Sequence, residues 1–433
     1  MKIKLNYLIF LPILLQANFS EIIKKVPNSY LYKLSQNEVL LAKKSLNATK
    51  ALNYGKIDLS YTGIRFFNQP KMKMTLKAPV AVNPLTTPPT LIYQDVTSTL
   101  PMSDKTHFIG EIKYSYPVFT GFAISGAIEK EKIKLIKSKL KLQNTKRVII
   151  LNAAKLYSLI YALKETKKAL EFEKKALKEA KEKVEALFKE GLVDKSEVEL
   201  ISAKYYETLA KIKSTSSNIK TLKNTLKTLL NVKSVKVDGL EEIDLKNLNP
   251  QKRPDVMEVA KNLDIAKSEE ILARSNFYPK VALEVALKRE ADNFSLTKND
   301  YQNIDKSYIG VGIRWNLFNG GADREKFQMA KIAKLQAVLY YKNYLNEAKT
   351  DLKNDLENID SLKFQLKAAR EELKARRAYY EKIKAKFAQG LADSVDLNDA
   401  LAKFVGAKAK VEYIKSQLFF YKLKAALDGG ENF

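Results

Sequence analysis

The stretch from Phe122 to Glu190 reads as one continuous helix of 69 residues, with no proline and, past Gly126, no glycine. Ile128, Leu135, Leu142, Ile149, Leu156, Leu163, Leu170, Leu177 and Val184 fall every seventh residue. A strict seven-residue apolar repeat belongs to a helix that supercoils against neighbours. At 1.5 Å per residue it runs roughly 100 Å, far longer than the helices of ordinary globular domains. Taken alone it fits a generic coiled coil; its flanks restrict the choice.

Ahead of it, residues 28–53 read as a helix with a weak apolar stripe. At Gly55 the period falls from about 3.6 to 2. In 56–66, Ile57, Leu59 and Tyr61 alternate with Asp58 and Ser60, which predicts a strand with one apolar face. Residues 69–106 hold six of the twelve prolines and read as an exposed loop, because proline suits neither a helix nor a central strand. A second strand is expected at 107–119, followed by the long helix at 122–190. Gly191 ends that helix, and a return helix at 195–230 makes the pair an antiparallel hairpin. Residues 232–252 form a connector with a short strand at Ser234–Val237.

The plan then repeats over 253–433: a helix from about Pro254 to Asn276, strands at 280–288 and 307–318, a long helix at 321–389 and a return helix at 394–427. The second long helix carries its own seven-residue seam: Leu345, Leu352, Ile359, Leu366, Leu373, Tyr380 and Phe387. An offset of 199 carries Phe119 to Phe318, Gly121 to Gly320, Gly191 to Gly390 and Asp194 to Asp393. Ahead of the paired strands the offset is 224, carrying Tyr54 to Tyr278 and Lys56 to Lys280. The change of 25 falls in the loop between paired strands. A tandem duplication with one variable loop accounts for it.

Composition narrows the function. The chain has no cysteine, which excludes disulfides, thiolate metal sites and a lipid-modified cysteine within this sequence. The single histidine, His107, excludes a His-based metal cluster, argues against Ser-His-Asp chemistry and reads as a strand-end residue. The net charge of +27 comes from lysines interleaved with glutamates on helices, as in 174–190, a solvated face rather than a nucleic-acid footprint. Residues 1–20 read as an export signal, with Lys2 and Lys4, an apolar core at 7–15 and a cleavage site at Ala17 or Ser20. No cofactor is expected, and no GxxxxGK[ST] loop is present to bind nucleotide.

The four strands have the length of tilted strands crossing hydrocarbon. In lipid no sheet edge stays unpaired, and four strands cannot close a barrel. Three copies would supply twelve. The polar face, with Glu111, Lys113, Glu284 and Arg314, would then line water. A soluble sandwich capping a coiled coil fits the alternation equally well. The export signal, the lack of cysteine and the aromatics Tyr114, Tyr116, Tyr308 and Trp315 favour the membrane.

The chain resembles the TolC-type outer-membrane efflux proteins. The likeness rests on the duplicated plan, the strand-to-helix junctions YPVFTG (116–121) and WNLFNGG (315–321), and the hairpin tips EGLVDKSEV (190–198) and QGLADSVDL (389–397). RPDV (253–256) and NFYPKV (276–281) add to it. The resemblance implies a mainly α chain with a membrane β-barrel, and a homotrimer whose 12-stranded barrel continues as a coiled-coil tunnel through the periplasm. It implies a passive exit duct, anchored in outer-membrane lipid and recruited by a periplasmic adaptor and an inner-membrane pump. It also implies a constriction at Asp396 and Asp399, one helical face apart by three residues. Ala392 stands where the family's arginine lock would be, and Phe387 where an aromatic lock partner would be. The tips Gly191, Leu192, Gly390 and Leu391 match the region offered to the adaptor. A non-pore periplasmic adaptor or structural coiled coil remains the competing class.

Overall fold

In a computed structural model of the chain, residues 19–431 are described; most of the expected export signal lies outside them. The elements are α1 (Phe19–Ile23), α2 (Tyr30–Ala51), β1 (Lys56–Arg65), β2 (Lys71–Asn83), β3 (Thr90–Pro101), β4 (Thr106–Phe119), α3 (Ala123–Lys189) and α4 (Lys195–Leu230). They continue with α5 (Pro254–Arg274), β5 (Lys280–Ala291), β6 (Tyr308–Arg314), α6 (Ala322–Ala388) and α7 (Ser394–Asp428). The chain divides into two units: residues 19–43, 133–264 and 335–431 form one, and 44–132 with 265–334 the other.

The first unit is helical. Its seven-residue seams pack inward: Ile149, Leu170, Leu177 and Val184 on α3, and Leu352, Ile359, Tyr380 and Phe387 on α6 are buried. One core gathers Phe19, Ile22, Tyr157, Ile160, Leu226 and Phe419. There the Phe19 ring meets Tyr157 edge-on at 5.3 Å and Phe419 at 5.5 Å. Phe19 is 2% exposed, and the Ser20 backbone N–H donates to Glu241. An export signal running through residue 20 would therefore remove a core aromatic. The expected strand at Ser234–Val237 does not form. That segment is irregular, yet Val235 and Val237 are buried in the same core, so its apolar alternation serves packing rather than a ladder.

The second unit holds a four-stranded antiparallel sheet in the order β1-β4-β5-β6 and a separate hairpin, β2-β3. The hairpin corrects the reading of 69–106 as a loop. Pro79 sits where the register shifts, Pro101 ends β3, and Pro84, Pro88 and Pro89 lie in the turn. Both strands of a two-stranded hairpin are edges, which is where proline is tolerated. β6 is shorter than the expected 307–318, ending at Arg314 opposite Lys280, the first residue of β5. Beyond it no described residue of the single chain supplies a ladder partner. β5 runs on to Ala291 because β4 pairs with it as far as Phe108.

Candidate functional site

The register sorts the sheet's side chains. Ile57, Tyr114, Val285 and Ile309 lie side by side across all four strands, as do Leu59, Ile112 and Leu287 across three. These residues project from one face, and Leu59 is 78% exposed, Ile309 73%. The opposite parity carries Asp58, Ser60, Glu111, Lys113, Glu284 and Arg314. Glu111, Lys113, Glu284 and Arg314 thus share one face. Lys113 Nζ reaches Glu284 at 2.8 Å, a diagonal pair between adjacent strands. Tyr308, opposite Ala286, falls on this polar side, whereas Tyr114 and Tyr116 fall on the apolar one. His107 is the second residue of β4, with its ring nitrogens 3.9 Å from Glu290 and 3.8 Å from Asp292.

In the helical unit the two hairpin tips share one geometry. Gly191 has φ +68° and Gly390 φ +74°. No neighbouring atom would meet a Cβ at either position, so glycine is selected there by the left-handed backbone alone. Gly191 N–H donates to Phe188 O and Leu192 N–H to Leu187 O; Gly390 and Leu391 repeat this with Phe387 O and Lys386 O. The paired bonds satisfy carbonyls that a helix end leaves open. They leave Leu192 67% and Leu391 70% exposed.

The next helix starts at once. Asp393 caps α7, its carboxylate accepting from the Asp396 backbone N–H at 2.8 Å. Asp396 and Asp399 are exposed, while Leu397, Ala400 and Leu401 pack into the tip core. Lys403 donates to Asp399 at 2.6 Å, so this carboxylate is partly neutralised. Phe387 is buried in the same core, and half-buried Ala392 packs against it. The two tips meet where the Ser394 hydroxyl donates to Glu197 at 3.2 Å. The sequence reading missed Lys183 of α3, whose Nζ donates to the carbonyls of Phe387 and Ala388. A lysine on a charged helix gives no local signal of that role.

A buried charge network, also missed, ties α3, α5, α6 and α7 together. Arg147 binds Asp428, and Arg253 reaches Asp255 at 2.9 Å and Asp351 at 3.2 Å. Lys424 pairs with Asp355. Burial pushes the Asp355 carboxyl up to about 6, against the pull of Lys424 and with added repulsion from Asp428. Asp428 is held below the usual range: burial opposes this, and Arg147 and Lys424 overcome it. Among the described residues no group of three or more acidic or histidine side chains is placed to hold a metal, and no helix is long and apolar enough to cross a membrane.

Residues 247–418 match the family model described as outer membrane efflux protein. The probable outer membrane lipoprotein SilC of Salmonella typhimurium is 26% identical over 165 residues, covering 36% of this chain. The match spans about a third of that relative's length, 34%. Solved structures match over nearly the whole fold. The outer membrane protein VceC of Vibrio cholerae superposes with TM-score 0.75 at 15% identity, covering 96% of each chain. The CmeC outer membrane channel of Campylobacter jejuni gives 0.75 at 18%, covering 96% of this chain and 86% of its own. The MtrE outer membrane channel of Neisseria gonorrhoeae, solved in an open state, gives 0.72 at 13%, covering 96% and 89%.

Proposed function

From the match of residues 247–418 to the outer membrane efflux protein model, we propose that this chain is the exit duct of a tripartite efflux or type I secretion system. In this reading it is an outer-membrane protein and a passive duct rather than an enzyme, in keeping with the description of the matched model. Three copies join their sheets into a twelve-stranded barrel, and their long helices line a tunnel through the periplasm. The observation that carries this reading is the sheet itself: a continuous exposed apolar face, a charged opposite face and two outer strands, β1 and β6. In hydrocarbon each unpaired backbone group costs several kcal/mol, so the sheet demands neighbours on both edges. Lipid then meets Leu59 and Ile309, while water meets Glu111, Lys113, Glu284 and Arg314.

The duct narrows at the helix tips. Threefold symmetry gathers three copies of Asp396 and three of Asp399, a carboxylate ring that admits cations and hinders anions. Phe387 and Ala392 belong to the packed shoulder behind that ring. The exposed leucines Leu192 and Leu391, set by Gly191 and Gly390, are the knobs on which a periplasmic adaptor closes, and an inner-membrane pump supplies the energy.

The test is electrophoresis of outer-membrane fractions with and without boiling. A heat-dissociable trimer of the 49.2 kDa chain, lacking its export signal, is expected. A monomer found in the soluble periplasmic fraction would instead support the adaptor or structural coiled-coil class.

A further inference from the structure

The two hairpins of the main sheet obey one register. In the first repeat Lys56 lies opposite Ser115, Ile57 opposite Tyr114 and Leu59 opposite Ile112. In the second, Lys280 lies opposite Arg314, Val281 opposite Ile313 and Leu283 opposite Val311. Shifting each first member by 224 and each second by 199 converts one set into the other. The offsets that describe the duplication in sequence therefore hold in the ladder, residue for residue.

Among the described residues, one ladder has no copy within the chain. β4 pairs with β5 and joins the end of one repeat to the start of the next. Its equivalent under the same offsets joins β6 to β1, which in a single chain are the two outer strands. We propose that subunits join through this missing ladder, in the register the duplication dictates; the proposal rests on the trimeric reading above. Ser115 opposite Glu284 becomes Arg314 opposite Ser60 of the partner subunit. Tyr114 opposite Val285 becomes Ile313 opposite Tyr61 of the partner subunit. Lys113 opposite Ala286 becomes Gly312 opposite Thr62 of the partner subunit.

Two further observations agree with this register. The first is charge. Within the chain Lys113 reaches Glu284, two residues before the residue directly opposite it. The same diagonal taken from Arg314 leads to Asp58 of the partner subunit. Within its own chain Arg314 makes no ion pair with any described residue, and Asp58 has only the exposed Lys56 at 2.7 Å. A slip of one residue would turn the apolar face inward. A slip of two would keep the faces but separate Arg314 from Asp58.

The second is the premature end of β6. Tyr116, Pro117 and Phe119 remain in β4 because Leu283, Ala282 and Val281 pair with them. Their equivalents Trp315, Asn316 and Phe318 lie outside any strand, with Trp315 and Phe318 exposed. Against the neighbouring β1 they would face Leu59, Asp58 and Ile57 of the partner subunit and extend the strand.

The cysteine-free sequence allows a direct test by disulfide cross-linking in outer-membrane fractions. The matched variants are Ile313→Cys with Tyr61→Cys, and Gly312→Cys with Thr62→Cys. Adjacent pairs are used because only alternate positions in an antiparallel ladder bring Cα atoms to about 4.5 Å. The slipped controls are Ile313→Cys with Leu59→Cys, and Ile313→Cys with Gly63→Cys. At least one matched pair is expected to give covalent trimers at about tenfold the yield of either control. A control that equals or exceeds the matched pairs, or heat-dissociable trimers with no cross-link from any pair, would overturn the register and leave the duct reading standing. Absence of trimers from the wild-type chain would overturn both. Charge reversal reads the same contact without cysteines: Arg314→Asp should lower the temperature at which trimers dissociate, and adding Asp58→Arg should restore it. No restoration would overturn the Arg314–Asp58 pairing.

Discussion

Lys183 on α3 donates to the carbonyl of Phe387 on α6 at 2.6 Å, with its ammonium 4.7 Å from the centre of the Phe387 ring. It also reaches the Ala388 carbonyl at 3.1 Å. The last carbonyls of a helix lack intrahelical donors and carry the negative end of its dipole. One cation from the first long helix therefore closes the end of the second.

Lys183→Met keeps most of the apolar stem and removes the charge. It is expected to cost about 1 kcal/mol, the net worth of a partly exposed hydrogen bond to a charged group. The loss should be local: amide hydrogen exchange over 385–400 should rise several-fold while β4 and β5 are unchanged. Unchanged exchange at the tip would show that the contact contributes nothing there.

Asp355 gives a pH dependence with a definite sign. Its folded value, near 6, exceeds the ordinary 3.8. Between those values the folded chain holds the proton more tightly than the unfolded one, so this group's contribution to stability falls as pH rises from about 4 to 6 and then levels off. Asp355→Asn removes that dependence. Relative to wild type, the variant should gain melting temperature across the same interval. A difference that is flat or of opposite slope would contradict the assignment.

The burial of Phe19 fixes a limit on processing. Intact mass of the mature protein should place its N-terminus at or before Phe19, which favours cleavage at Ala17 over Ser20. In addition, Phe19→Ala should cost about 3–5 kcal/mol, as for other buried aromatics. A mature protein beginning after Phe19 would show that the core closes without it.

Two residues on β1 separate the two faces of the sheet. Leu59→Arg puts a charge on the apolar face, which near the centre of a bilayer costs about 2–4 kcal/mol. Thr62→Arg puts the same charge on the polar face, opposite the uncharged Gly312 of the partner subunit in the proposed register. Trimer yield in the outer membrane should fall for the first and hold for the second. Equal yields would remove the membrane assignment of the apolar face.

Much of this architecture is legible in the sequence because it is periodic. The seams through Leu170 and Tyr380 report helices that pack on one side, and alternation through Ile57 and Val285 reports strands. Gly191 and Gly390 mark the tips because each needs a left-handed backbone. The β2–β3 hairpin escapes such a reading although 71–77 (KMKMTLK) alternates clearly: six prolines outweigh the pattern, and edges, bulge and turn accommodate them. The end of β6 depends on a ladder partner that the sequence of one strand does not contain. Long-range polar contacts such as Lys183 with Phe387, or Arg147 with Asp428, leave no local trace because basic side chains recur all along the long helices. The constriction at Asp396 and Asp399 came from resemblance, and both also suit a helix start, where carboxylates complement the dipole.

The most direct measurement is single-channel conductance of the purified protein in a planar bilayer, wild type against Asp396→Ala/Asp399→Ala. Small cation-selective pores that widen and lose their selectivity in the double variant are the predicted result. A pore indifferent to both substitutions would keep the duct and contradict the gate. No conductance from well-folded trimers would contradict the duct itself.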